Sequence, residues 1–382
     1  METNGVRDDE VTFTGLGGYK MSKGLITKAS YSIALLALAL APLFLSDFRL
    51  GLLSKFLALA ILAIGLDLIW GYTGILSLGH GVFFGLGAYA MAMYMKLEAS
   101  GGQLPDFMSW SGLEKLPWFW EPFKSPYFAI PAGVIIPMLV AFILGIFTFR
   151  NRIRGVYFTI LTQALVIIAV TLFIGQQQYT GGTNGITDFM TIFGLSYHAE
   201  STQIGLYFVT LIMMVSVILF AKWLINTRAG KVLRALNDAE NRARFIGYDP
   251  SKYQLFIFCV SAGIAGLAGM LYVLQVGIIS PTMMGIVPSV EIVLWVALGG
   301  RGSIIGAAIG AVVVNAAKSG FSEAYPDGWL YFIGALFIVV VVFMPKGLVG
   351  ISQSIRAKFQ GSVKGNEKES SNSVLREGHS SV

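Results

Sequence analysis

Apolar runs recur along nearly the whole chain, at residues 31–46, 50–70, 81–96, 127–149, 156–175, 204–225, 253–276, 283–298, 303–318 and 329–344. A helix needs about 20 mostly apolar residues to cross the hydrocarbon core of a bilayer. The runs therefore predict an all-α, polytopic integral membrane protein with about ten transmembrane helices. Several runs are short or broken by glycine, the pattern of discontinuous membrane helices. Composition agrees. Of the 382 residues 55% are hydrophobic and 13% charged, where soluble domains carry roughly 25% charged residues. The expected organisation is a polar N-terminal extension (1–30), a membrane domain (31–350) and a Ser-, Lys- and Glu-rich disordered tail (351–382). Asp8, Asp9 and Glu10 precede every apolar run, which argues against a cleaved signal peptide.

The net charge of +6 lies mostly in the connections. Lys20, Lys23 and Lys28 precede the first span. Arg150, Arg152 and Arg154 follow the fourth, and Arg228, Lys231, Arg234, Arg242, Arg244 and Lys252 follow the sixth. Arg301 follows the eighth, and Lys346, Arg356 and Lys358 follow the last. With ten spans all of them fall on one side, which the positive-inside rule makes the cytoplasm, with both termini there. The opposite loops are of another kind. Residues 98–125 are rich in Trp and Pro, with aromatics suited to the membrane–water boundary. Residues 176–203 hold the polar stretch QQQYTGGTNGITDF.

Four constellations are candidates for function. The first is the polar insert 226–252. Gly230 opens a stretch, 231–246, that reads as a short helix with Leu233, Leu236 and Ala243 on one face. Asp238, Glu240, Arg242 and Arg244 lie around the rest, Gly247 fits the C-terminus and Pro250 stops continuation. Such a helix is either a coupling element for a cytoplasmic motor or an ordinary interfacial helix. The second is GYTGILSLGHGVFFGLGAYAM at 71–91. It reads as a break over 71–79, followed by close packing along Ser77, Gly81 and Gly85. His80 in it is expected to pack or to hydrogen-bond. The third is GGRGSIIGAAIGAVVVN at 299–315, a tight turn at Arg301 and a seam of Gly302, Gly306 and Gly310.

The fourth is the scarcity of charge inside the spans. Lys55 and Lys318 are expected to snorkel to span ends, Asp67 lies near a cytoplasmic end, and Glu291 is a candidate buried carboxylate, either functional or bonded to a neighbouring helix. Gln163, Gln275, Glu291 and Asn315 are the candidate groups along a solute path, each open to the alternative of helix–helix bonding. Thr162 has the same two readings. The single cysteine (Cys259), three dispersed histidines, and the lack of GxxxxGK[ST] and GxSxG motifs predict no disulfide, no metal, no bound cofactor and no enzymatic activity.

Together these residues resemble the branched-chain amino acid and amide class of ABC importer permeases, over about 50–350. The carriers are GYTGILSLGHGVFFGLGAYAM and the segment GKVLRALNDAENRARFIGYDPSKYQLFIFCVSAGIAGLAG. In that segment Gly230, Arg234, Ala235, Asp238, Glu240, Ala243 and Gly247 stand at the coupling positions. A narrower similarity, to urea permease subunits of the UrtC type, lies in LPDFMSWSGLEKLPWFW, QQQYTGGTNGITDF, PSVEIVLWVALGGRGSIIGAAIGAVVVN and GWLYFIGALFIVVVVFMPKGLVG. The resemblance implies a bacterial inner-membrane subunit forming half of a heterodimeric pore. Its partners would be a second homologous permease, two cytoplasmic ATPase subunits that use the ATP, and an external solute-binding protein. Urea is the implied solute. Branched-chain amino acids or short amides carried by the same machinery are the alternative, and a self-sufficient channel or secondary transporter is the alternative of a different class.

Overall fold

The computed structural model describes residues 12–14, 20–101, 103–153, 155–325, 328–344 and 347–350. The expected tail 351–382, with Arg356 and Lys358, lies outside the described residues, as do Arg154, Lys346 and most of 1–19. In chain order the helices are α1 (Lys23–Phe44), α2 (Asp47–Thr73), α3 (His80–Ala99), α4 (Asp106–Trp110), α5 (Pro126–Arg150), α6 (Val156–Gly175), α7 (Gln177–Thr180), α8 (Glu200–Asn226), α9 (Arg228–Phe245), α10 (Pro250–Val276), α11 (Ile286–Gly299), α12 (Ile304–Ala324) and α13 (Trp329–Phe343). The apolar runs fall in helices, give or take a terminal residue, except that 283–298 is split by Gly285 between a 3-10 turn (Pro281–Met284) and α11, and 31–46 runs two residues past α1. Six of the helices (α2, α5, α6, α8, α10 and α12) are long and apolar enough to cross a membrane. The helix α1 starts at Lys23, earlier than the extension's expected boundary, and its apolar part begins at Ala29.

The helix ends follow local chemistry. Gly74, at φ 74°, ends α2 and donates its N–H to Trp70 O (3.1 Å). Asp249 caps α10 through the Ser251 N–H (3.1 Å), with Pro250 in the first turn. At the centre stand α2 and α10, whose apolar windows are 83% buried, against 22% for α6 and 28% for α5. Around this pair pack α3, α5, α8 and α12. The tightest crossing joins α3 to α10, where a Cβ on Gly87 would overlap the backbone of Gly266. The outer faces of α5, α6 and α8 expose Phe147, Ile168, Leu172, Ile212 and Leu219, as helices facing lipid or a partner do.

The two ends of the bundle differ. At one end Ser251 Oγ donates to Phe149 O (2.9 Å), Gly302 N to Asp67 Oδ1 (2.7 Å) and Tyr72 Oη to Gly302 O (3.0 Å). These bonds gather the C-termini of α2, α5 and α11 with the N-termini of α10 and α12. The described basic connections, at 150–153, in α9 and at Arg301, therefore share one end. At the other end Trp120 Nε1 donates to Tyr179 O (3.1 Å) and Glu98 accepts from the N–H groups of Phe193 and Gly194. Ile186 and Ile279 form a β-bridge there. The polar loop 176–199 is thus a folded cap.

Candidate functional site

Helix α9 lies across the basic end against α2, α8 and α10. It begins where Thr227 Oγ1 accepts from the Gly230 N–H (3.4 Å). Gly230 is closed in: a Cβ there would overlap the backbone of Ile225. The expected apolar face is real, with Leu233, Leu236 and Ala243 buried. One expectation needs correction. The helix starts at Arg228 and is broken at Ala239, whose φ of −158° and ψ of 81° are not helical, so it is two short helical pieces. Arg234 is exposed, with its guanidinium 5.5 Å from the ring centroid of Tyr72. Glu240 lies 3.7 Å from Arg244, while Ala235 and Asp238 face outward. Gly247, at φ 95°, turns the chain as expected, and beside it Phe245 and Ile246 are 92% and 77% exposed. Sequence reasoning assigned those two apolar residues no role.

Beneath α9 the chain from Gly74 to Gly79 leaves helical geometry, a break shorter than the expected 71–79 because residues 71–73 stay in α2. Its backbone groups need partners, because lipid supplies none. Thr162 Oγ1 accepts from the Leu78 N–H (3.1 Å) and Thr159 Oγ1 donates to Leu76 O (3.0 Å). Thr162 therefore fastens the break. His80 Nε2 meets Ser261 Oγ at 2.6 Å, and Ser261 donates to Gly65 O, so His80 ties α3 to α10 and α2. Gly81 and Gly85 pack as expected, against Ser289 and Met284. Gly306 and Gly310 pack on Gly299 and Trp295, but Gly302 belongs to the turn, not the seam.

In the other half, a cavity of about 320 Å³ opens between α2, α11 and α12. Glu291 and Asn315 both line it. Lys318 and Lys55 do too, and here the snorkelling expectation fails. Lys318 Nζ donates to both carboxylate oxygens of Glu291 (2.8 and 2.9 Å), and Lys55 Nζ sits 5.9 Å from the Tyr272 ring centroid. Opposite charges on consecutive antiparallel spans were the available signal. Asn315 Nδ2 donates to Ala311 O in its own helix (2.8 Å). The other two path candidates lie elsewhere. Gln275 Nε2 donates to Thr210 Oγ1 (2.9 Å) and lines a smaller cavity with Asp47, His198 and Glu200, while Gln163 is on α6 and lines neither cavity.

A family described as branched-chain amino acid transport system / permease component matches residues 48–341. The chain belongs to this family. Its membrane helices, the α9 strap and the charged cavity are thus features of a multi-pass transport permease. One relative is the high-affinity branched-chain amino acid transport system permease protein LivM of Escherichia coli, 27% identical, covering 88% of this chain and 78% of its own length. The corresponding permease protein LivH of Salmonella typhimurium is 25% identical over 76% of this chain and 91% of its own length. The ribose import permease protein RbsC of Haemophilus influenzae is 21% identical over 87% of this chain and 96% of its own. No solved structure matches the permease.

Proposed function

We propose that this permease is half of a heterodimeric pore that carries urea across the bacterial inner membrane. A second permease of the same family completes the pore, two ATPase subunits drive it from the cytoplasm, and an external binding protein delivers the solute. Both termini are cytoplasmic. The observation that carries the transport reading is α9: a charged strap packed on the ends of the two central helices, with Phe245 and Ile246 left bare beside it. Motor closure pushes on both pieces of α9, at Gly230, Arg234, Ala235 and Asp238 before the break and at Glu240, Ala243 and Gly247 after it. Through Tyr72 and Gly302 the push reaches α2 and the α11–α12 turn.

Support for urea comes from two stretches similar to urea permeases, the Trp-rich loop and QQQYTGGTNGITDF. They fold against each other at the end opposite α9, where Phe119 and Tyr179 stack edge to face at 5.4 Å. The second reading is branched-chain amino acids, favoured by the family's description and by the names of LivM and LivH. Uptake of labelled urea and leucine in a deletion strain separates them: urea uptake falls and leucine uptake holds, or the solute reading is wrong. The purified chain alone in liposomes is expected not to conduct; conduction would mean a channel that needs no motor.

A further inference from the structure

The Glu291–Lys318 pair lies on the border of two clefts. One is the cavity of about 320 Å³ between α2, α11 and α12; the other, about 780 Å³, runs between α6, residues 282–288 and α11. Glu291 and Lys318 line both. The larger cleft is otherwise mostly apolar, walled by Val166, Ile167, Val170, Ile286 and Val287, with Thr171 and Thr282 as its other polar residues. An ammonium and a carboxylate at the floor of an open cleft are unfavourable against hydrocarbon. This face therefore meets water or another subunit, unlike the bare faces of α5 and α8. Trp295, which lines the smaller cavity, is buried with its indole N–H lacking a hydrogen-bond partner among the described residues. A buried donor without an acceptor is costly unless a bound molecule supplies one.

We propose that this border is a binding station for a small neutral amide, with Glu291 as acceptor and Lys318 and Trp295 as donors. A carboxylate accepts two parallel N–H bonds from a planar amide or urea, as it does from a guanidinium fork. An ammonium and an indole N–H donate to the carbonyl oxygen. Entering between Glu291 and Lys318, such a solute exchanges their direct contact for bonds to itself, so neither charge is stripped bare. Alternating closure of the smaller and the larger cleft then passes the solute across the pair. The station rests on the urea reading, and it assigns Lys318 and Trp295 roles that sequence reasoning did not give them.

The test uses the complete transporter with its binding protein in proteoliposomes, labelled urea and leucine, and two double variants. Glu291→Met with Lys318→Met removes the charges at similar volume, a change that buried ion pairs tolerate. Glu291→Gln with Lys318→Gln keeps an acceptor and a donor without charge. Expected for the assembled Met pair is a loss of urea transport of about a hundredfold in kcat/KM. The Gln pair is expected to retain transport within about tenfold of the wild type. Wild-type urea transport by an assembled Met pair overturns the station. So does a Gln pair as inactive as the Met pair, which would mean that the charges themselves are required. If the Met pair does not assemble, Ser319→Cys in a Cys259→Ser chain decides. Saturating urea slows its labelling by a thiol reagent if the station exists, and an unchanged rate overturns it. A wild type that carries leucine and not urea refutes the solute reading alone; the two double variants assayed with leucine then decide separately whether the pair contacts solute.

Discussion

Among the described residues two carboxylates are buried, Asp67 of α2 and Glu291 of α11. Asp67 is shut in. Its Oδ1 accepts the Gly302 N–H, Arg301 lies over Trp70 beside it, and a Cβ on Gly71 would overlap both Asp67 and the Gly302 backbone. Glu291 holds a side-chain cation across two clefts. A carboxylate bonded to backbone and pressed by Gly71 is a fastener, although Asp67 Oδ2 has no hydrogen-bond partner among the described residues. A carboxylate bonded to a flexible ammonium beside open volume can exchange that partner for a solute. The difference separates the end that transmits force from the half that holds space.

The largest effect is expected where the fastener has no slack. Gly71→Leu forces side-chain volume into the Asp67–Gly302 contact, and overpacking of this kind costs about 3 kcal/mol. Heating followed by size-exclusion profiling is expected to show loss of assembled permease at temperatures the wild type survives. Next comes Asp67→Ala, which leaves the buried Gly302 N–H without its acceptor, a loss of about 1–3 kcal/mol. The thermal midpoint is expected to drop by several degrees while the KM for urea stays unchanged. A changed KM with an unchanged midpoint would invert the comparison. At Glu291 the opposite pattern is expected. Replacing both Glu291 and Lys318 by Met leaves the midpoint unchanged or raised, because well-packed apolar residues can substitute for a buried ion pair. Arg234→Ala is expected to cost little stability, since it removes a cation–π contact of about 0.5–1 kcal/mol. ATP-driven uptake is expected to fall by more than that figure converts to, because Arg234 links α9 to Tyr72 and through it to Gly302.

The helical architecture was legible from the recurring apolar runs, which became helices, six of them long and apolar enough to cross a membrane. The break before His80 was legible from its glycines, and the α9 face from the spacing of Leu233, Leu236 and Ala243. What pattern alone misses is pairing between spans. Lys318 reads as a snorkelling residue in its own helix, and only the packing of α12 on α11 brings it to Glu291. The few ionisable groups inside the spans are also not scattered as they read in sequence, since Lys55, Glu291 and Lys318 share one cavity. Gln163, Gln275, Glu291 and Asn315 look alike in sequence, yet only Glu291 and Asn315 converge. The kink at Ala239 has no local signal, because neither Ala239 nor its neighbours are helix breakers. Arg234 is a surface charge in the structure too, and only the fold shows that the Tyr72 ring lies beside it.

The central claim is that α9 faces a motor in the cytoplasm. Asn241, exposed on α9, offers the direct measurement as Asn241→Cys in a Cys259→Ser chain, probed with a membrane-impermeant thiol reagent. The account predicts no labelling in intact cells, rapid labelling in inside-out vesicles, and protection there when the ATPase subunits are bound. Labelling of intact cells would contradict it.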